Sequence, residues 1–437
     1  MTSNDSKKDL RVALAGLGTV GGATLKVLQA HAEALAARCG RRITVVAVSA
    51  KGRARVRAFN MTGIEFVDKA LALAERPDID VVCEMIGGQE GVAFDLCEAS
   101  LKNGKSVVTA NKAMLAMHGV ALAKLAETTG AQIKFEAAVG GGIPVIKTMR
   151  EALAGNNVSS VRGILNGTCN YILTRMEREF CTFEQALKDA QYFGYAEADP
   201  SADIDGHDSA HKLCILASLA FGVQPDLSSL PVEGIRRITD KDFQFAKELG
   251  YGIKMVGAAR MCEGGMDQWV APCLVPLDSP LAAASDVMNA IELDSDALGP
   301  LLLMGRGAGG SSTASAVISD LVDLARGNMV NSWGQPVATL RKALILPAQE
   351  AKGRWYIRLQ LTDKPGVLAD ISAILRDHAI SIGALLQHGR GDKSSVPVII
   401  VTHETNEATL RAALAKIAKL EAVWEAPLSL RIDTNKD

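Results

Sequence analysis

Short apolar runs dominate the first 140 residues: Val12 to Ala15, Ile43 to Val48, Val81 to Ile86, Val107 to Thr109 and Ile133 to Ala137. Alanine- and leucine-rich stretches of helical character separate them. Several of the runs are near-continuous Val and Ile rather than alternating. A strand covered on one face alternates, whereas a strand buried on both faces needs an unbroken run, and the intervening stretches are long enough for helical crossovers. The pattern predicts an α/β chain that begins with a Rossmann-type doubly wound parallel sheet.

At roughly 100 to 200 residues per domain, 437 residues leave room for two to four domains. The sheet is expected over residues 1–140, completed by a return at about 305–335. Mixed helices and strands from 141 to 304 suggest an α+β substrate or assembly domain, opened by Gly140 to Pro144 and followed by the turn-rich Asn331 to Pro336. A linker is expected over 336–352. From 353 to 437 the order is strand, helix, strand, strand, helix, strand (Trp355 to Leu361, Gly366 to His378, Ile380 to Gln387, Val396 to Thr402, Glu407 to Ala418, Leu428 to Ile432), a ferredoxin-like βαββαβ unit.

Composition narrows the function. Basic side chains number 47 against 49 acidic, so no net positive field recruits nucleic acid. The eight cysteines are scattered with no C-x-x-C pair, which argues against a disulfide framework or a zinc knuckle. The N-terminal MTSNDSKKDL is polar, and no apolar run approaches the roughly 18 residues of a membrane span. A cytoplasmic protein with no membrane partner is expected.

Gly16-Leu17-Gly18-Thr19-Val20-Gly21 follows the first strand directly and opens a helix. Gly16 allows the tight turn, Gly18 lets backbone approach a pyrophosphate, and Gly21 lets helix and strand pack closely. Thr19 and Val20 start the helix whose unpaired N–H groups face the phosphates. An NAD site would place Asp or Glu at the end of the second strand to hold the ribose. Ser49-Ala50-Lys51-Gly52-Arg53 stands there instead, followed by Arg55 and Arg57. A missing acid and clustered cations favour a 2′-phosphate and hence NADP over NAD, the alternative being a solvated basic loop.

The segment Glu197 to Lys212 carries five carboxylates. As a calcium loop counted from Ser201 it would put Lys212 at the twelfth position, where a bidentate Glu belongs. His207-Asp208-Ser209-Ala210-His211 mimics H-E-x-x-H, but Asp is a methylene short and no third ligand is evident, leaving a metallohydrolase as the runner-up. The third reading pairs Asp208 with Lys212 at i and i+4 on one helical face. By itself that is a surface ion pair worth a few tenths of a kcal/mol. Its company raises it: Lys112, in Thr109-Ala110-Asn111-Lys112, sits at the carboxyl end of what counts as the fourth strand, where open α/β sheets bind ligands. Two lysines in one pocket would depress each other's pKa and allow proton transfer near neutral pH, as alcohol oxidation by hydride transfer requires.

In these motifs the chain resembles homoserine dehydrogenase. Gly16 to Gly21, Val108 to Ala113, Gly163 to Leu173, Gly194 to Lys212, Gly305 to Gly309 and Thr313 to Val317 fall in that family's order, and Asp363 to Leu368 is similar to an ACT regulatory domain. The resemblance implies reversible interconversion of L-homoserine and L-aspartate 4-semialdehyde with NAD(P), in the branch toward threonine, methionine and isoleucine. It implies Lys212 as proton donor and acceptor, Lys112 as its partner, Asp208 on the substrate, Glu197 on the substrate α-ammonium, and Gly309 against the nicotinamide. It further implies a Na+ or K+ site on carbonyl oxygens at Glu136, Val139, Gly141 and Ile143, a homodimer or homotetramer, and threonine as effector. Arg306 departs from the family, which commonly has Pro there, and one ACT copy implies that an effector site needs a second chain.

Overall fold

The computed structural model describes residues 8–52, 59–347, 350–388 and 395–433. Two compact units divide them, one drawn from the spans 1–165, 208–230 and 288–343, the other from 166–207, 231–287 and 344–437.

In the first unit β1 (Leu10–Ala15), β2 (Ile43–Ser49), β3 (Glu65–Phe66), β4 (Val81–Glu84), β5 (Ser106–Thr109) and β6 (Ile133–Lys134) form a parallel sheet in the order β3-β2-β1-β4-β5-β6. The direction in which successive strands are added reverses between β1 and β4, and ligands bind at such a point. Sequence reading expects five strands; β3, only two residues long, is the sixth. Lys112 therefore follows the fifth strand. The apolar run at Ile133 yields two strand residues and then turns into a short 3-10 helix, Glu136–Ala138.

Alternate residues of β1 explain why its run is unbroken. Val12 and Leu14 pack with Leu25 and Leu28 of the helix Thr19–Ala30 and with Val317 and Leu321 of the helix Gly310–Arg326. Ala13 and Ala15 pack with Val82, Leu73 and Leu96 on the opposite face. Each large aliphatic buried this way contributes roughly 1.5 to 3 kcal/mol. The late helix is thus part of the sheet's core although about 180 residues of chain separate it from β6.

A second sheet in this unit is antiparallel, with Met288–Ser295 between Val158–Ile164 and Leu301–Arg306. Trp333 closes the unit: it is buried, donates from Nε1 to the Gly119 carbonyl at 3.3 Å and packs its ring, tilted by 48°, against Phe135 at 5.3 Å.

The second unit contains the hairpin Tyr251–Cys262 and Gly265–Pro276 and the expected βαββαβ module. The module's strands lie in the order Leu428–Ile432, Lys352–Thr362, Ser395–Thr402, Ile382–Gln387, all antiparallel to their neighbours. Helices Val367–Asp377 and Glu407–Ile417 connect them around a core of Ile357, Leu359, Ile371, Val398, Ile400 and Leu410. Its last strand also pairs in parallel with the hairpin, Arg431 opposite Cys273 and Ile432 opposite Leu274. Among the described residues no helix is long and apolar enough to cross a membrane.

Candidate active site

The glycine turn after β1 is built as its spacing predicts. Gly16 has φ +103°, and a Cβ there would lie 2.4 Å from the Met85 carbonyl oxygen; one on Gly21 would lie 1.9 Å from the Gly16 oxygen. Among the described residues a Cβ on Gly18 would meet nothing within 4 Å, so this is the open side. The helix Thr19–Ala30 has no side-chain cap, which leaves its first N–H groups to whatever lies in front. Beside it begins the helix Gly310–Arg326, equally uncapped, with Gly309 at φ +107° and Gly310 so close that a Cβ would lie 2.8 Å from the Thr19 oxygen. Two helix N-termini opening side by side suit the phosphates of a dinucleotide. Next to them a cleft of about 140 Å³ is lined by Val20, Glu84, Met85, Ile86, Gly87, Ala110 and Asn111.

Thr109 does not open into that cleft. It is buried, and its hydroxyl donates to Glu84 Oε2 at 2.6 Å while accepting from the Asn111 N–H at 3.0 Å. Glu84 is fully buried at the end of β4, and its Oε1 accepts from the N–H groups of Ile86 and Gly87 at 2.7 and 2.9 Å. Asn111 caps the helix Lys112–Thr129 by accepting from the Met114 N–H and donates to the Gly88 carbonyl at 2.6 Å. Lys51 is exposed just beyond β2; Arg53 lies outside the described residues.

Three groups singled out by sequence meet in the first unit. Asp208 and Lys212, one turn apart on the helix His207–Phe221, are both buried. Lys212 Nζ donates to Asp208 Oδ2 at 2.6 Å and to the Leu165 carbonyl at 2.7 Å. Lys112 Nζ reaches the other carboxylate oxygen, Oδ1, at 3.1 Å. The lysine side chains differ in access, 11% exposed for Lys212 against 39% for Lys112. The two ammonium groups share one counter-charge instead of facing each other bare, so the carboxylate offsets the mutual repulsion expected of two lysines alone. Glu197 belongs to the second unit, where its backbone carbonyl accepts from Gln191 Nε2 at 3.1 Å.

The loop after β6 turns on two left-handed glycines, Gly140 at φ +71° and Gly141 at φ +53°. Gly141 packs so tightly on the late glycine loop that a Cβ would lie 2.4 Å from the Gly307 oxygen. Glu136 is buried, and its carboxylate accepts from the N–H groups of Ile146 and Lys147 at 2.9 and 2.8 Å. Burial, with the nearby Asp320, pushes its carboxyl up to about 7. Asp320, on the late helix, accepts from the Glu136 N–H at 2.8 Å and is itself pushed up to about 6 by burial. The carbonyl of Ile143 already accepts from the Val145 N–H at 2.8 Å, and a carbonyl has a second lone pair. Positive φ at consecutive glycines is the local property that lets carbonyls of such a loop turn to one side.

Sequence reasoning passed over Glu84, the Leu165 carbonyl and Asn289, whose Nδ2 donates to that same carbonyl at 2.9 Å. The first had a signal, an acid at the end of an otherwise apolar strand. The other two had none.

Residues 16–136 match the family described as homoserine dehydrogenase, NAD binding domain; residues 144–322 match homoserine dehydrogenase, and 355–422 the ACT domain. The homoserine dehydrogenase of Pseudomonas aeruginosa is 41% identical over 98% of this chain and 99% of its own length. A crystal structure of a homoserine dehydrogenase from Thiobacillus denitrificans superposes with a TM-score of 0.91 at 42% identity, covering 97% of this chain and 98% of that one. A hyperthermophilic archaeal homoserine dehydrogenase in complex with NADPH gives a TM-score of 0.61 at 26% identity over 74% of this chain and 99% of that one. With the dinucleotide cleft, the lysine–aspartate centre and the βαββαβ module in one chain, this protein belongs to the homoserine dehydrogenase family, oxidoreductases that act on a CH–OH group.

Proposed function

We propose that Lys212 is the group that takes the hydroxyl proton of L-homoserine during oxidation and returns it during reduction of L-aspartate 4-semialdehyde. The carrying observation is its anchorage: two of three possible ammonium hydrogen bonds are fixed, on Asp208 and on the Leu165 carbonyl, which leaves one direction for a substrate oxygen. When bound, the nicotinamide takes or returns the hydride. Asp208 holds the amine in place and balances its charge as the proton comes and goes. Lys112, on the far oxygen of that carboxylate and more exposed, orients Asp208 and the substrate rather than carrying the proton. Glu197 is assigned to the substrate α-ammonium, a charge-assisted contact that separates amino acids from plain alcohols.

NADP is the favoured cofactor, supported by Ser49 where an NAD site has an acid, by exposed Lys51, and by the archaeal relative's complex with NADPH. A monovalent cation, Na+ or K+, is assigned to the carbonyls of Glu136, Val139, Gly141 and Ile143. The ACT domain takes a small-molecule effector, for which threonine is the candidate, in a homodimer or homotetramer. Lys212→Ala tests the central assignment: with folding and NADPH binding intact, kcat should fall by about 10² to 10⁴. Unchanged turnover would remove the lysine from proton transfer.

A further inference from the structure

The registers of the antiparallel sheet in the first unit bring three features onto one side chain. Asn289 lies opposite Gly305 on one neighbour, and Ala290 beside it lies opposite Ile164 on the other. Asn289 is 0% exposed. Its Nδ2 donates at 2.9 Å to the Leu165 carbonyl, the oxygen that also accepts from Lys212 Nζ at 2.7 Å. A carbonyl can only accept, so the amide nitrogen must face it, and this settles the orientation of the side chain. The remaining oxygen, Oδ1, is buried with no hydrogen-bond partner among the described residues. Gly307 covers the amide: a Cβ there would lie 2.1 Å from Asn289 Cγ and Nδ2. A buried acceptor without a donor costs about 1 to 3 kcal/mol, so stability alone does not account for an amide here.

We propose that Asn289 is a positioning residue for the dehydrogenase reaction, fixing the Leu165 carbonyl that anchors Lys212 and seating the Gly305-to-Gly309 loop against the same amide. The proposal rests on the reading that Lys212 moves the proton. A lysine side chain has four rotatable bonds, and among the described residues two acceptors hold its amine. One of them, the Leu165 carbonyl, lies just past the end of the strand Val158–Ile164, where β pairing no longer constrains the peptide plane. Asn289 supplies that constraint. Without it the carbonyl turns away, the amine keeps only Asp208, and proton transfer starts from the wrong place. Gly307 extends the argument to the loop proposed to face the nicotinamide, because loop and amine are then set by one rigid group.

The test compares Asn289→Ala, Gly307→Ala, their double variant and Lys212→Ala. Asn289→Ala should lower kcat for homoserine oxidation about 30- to 100-fold, the scale set by an ångström of misplacement. The primary isotope effect with homoserine deuterated at the carbon bearing the hydroxyl should rise, since chemistry becomes slower than product release. The dissociation constant of NADPH, read by fluorescence, should stay within about twofold. Gly307→Ala pushes the same amide aside, so it should reproduce the loss even where Asn289→Ala fails to fold. The double variant should be no worse than the poorer single one, because the cavity at position 289 accepts the new methyl group. A folded Asn289→Ala enzyme with kcat within threefold of the parent and an unchanged isotope effect would overturn the proposal, as would a loss of activity that tracks weaker NADPH binding. Lys212→Ala separates the two levels: if that variant is inactive while Asn289→Ala is not, only the positioning role fails, whereas an active Lys212→Ala removes the reading beneath it.

Discussion

Glu84 shows how much a single buried charge can set. Glu84 is among the residues that line the cleft, and its carboxylate is held by two backbone N–H groups and the Thr109 hydroxyl. Three donors satisfy a carboxylate well enough to bury it, and two of them come from the Met85-to-Gly87 turn it thereby shapes. Its charge also has an electrostatic consequence. The cleft lies at the carboxyl ends of β4 and β5, the half of a doubly wound sheet that holds the nicotinamide end of a dinucleotide. An oxidised nicotinamide is cationic and a reduced one neutral, so a nearby anion favours the oxidised form. For scale, two opposite unit charges about 10 Å apart at an effective dielectric near 20 attract by roughly 1.7 kcal/mol, and by less where water enters. Glu84→Gln keeps the shape and removes the charge. It should raise the ratio of the NADP+ to the NADPH dissociation constant about tenfold, measured by fluorescence titration. A purely structural role would weaken both forms equally and leave the ratio where it was.

At the scale of elements, the proposed cofactor site lies where two helices start together. Gly310 has to be glycine for contact rather than for backbone freedom, since a Cβ would press on the Thr19 oxygen at 2.8 Å. Gly310→Ala should push the late helix off its neighbour and raise the NADPH dissociation constant about tenfold, one helix terminus being worth up to roughly 1 to 2 kcal/mol to an anion. The melting temperature should move by only a few degrees; an unchanged dissociation constant would show that the second terminus does not face the phosphates. Sequence reading expects a return to the sheet at about 305–335, but Gly310, Ser311 and Ser312 add nothing to an apolar period and so do not mark where its helix starts. It foresees β1, β2, β4 and β5 because burial on both faces leaves long Val and Ile runs. It misses β3, whose two residues, Glu65 and Phe66, cannot carry a period. The βαββαβ unit was legible almost to its ends, since both its helices and its strands keep one apolar face over several turns or pleats. In the site, Asp208 and Lys212 were legible through their helical spacing and Lys112 through its place at a strand end. Leu165 and Asn289 were not, because a backbone carbonyl has no residue identity and the register that pairs the strands is a long-range property.

At the scale of the whole molecule, the ACT module is built into the second unit. Its last strand extends the sheet of the hairpin, and Asp433 N–H adds a bond to the Leu274 carbonyl at 2.8 Å. The Arg431 guanidinium sits between the Trp269 ring, 5.1 Å away, and the Trp355 ring, 4.8 Å away, and pairs with buried Glu407. Asp242, buried on the helix Asp240–Glu248, takes hydrogen bonds from Tyr356 at 2.9 Å and from Arg358. Burial raises the Asp242 carboxyl, and Arg358 opposes that rise. Cutting the chain at residue 350, the direct test of the threonine site proposed for the module, therefore does more than remove one domain. It strips the hairpin edge of its partner strand, uncovers Trp269, and takes both Tyr356 and Arg358 from a buried carboxylate. Losing the partner of a buried ion costs about 3 to 5 kcal/mol, and a bare apolar strand edge invites pairing with other chains. The truncated protein should melt well below the parent and run as aggregate in size-exclusion chromatography, so that a changed response to threonine would not locate the proposed effector site. Arg431→Ala is the cleaner probe, because it opens the stacked contact and leaves every strand in place. If the truncated chain instead elutes as a single species with the parent's melting temperature, the module is dispensable for the fold of this unit and the coupling argued from Arg431 and Asp242 is wrong.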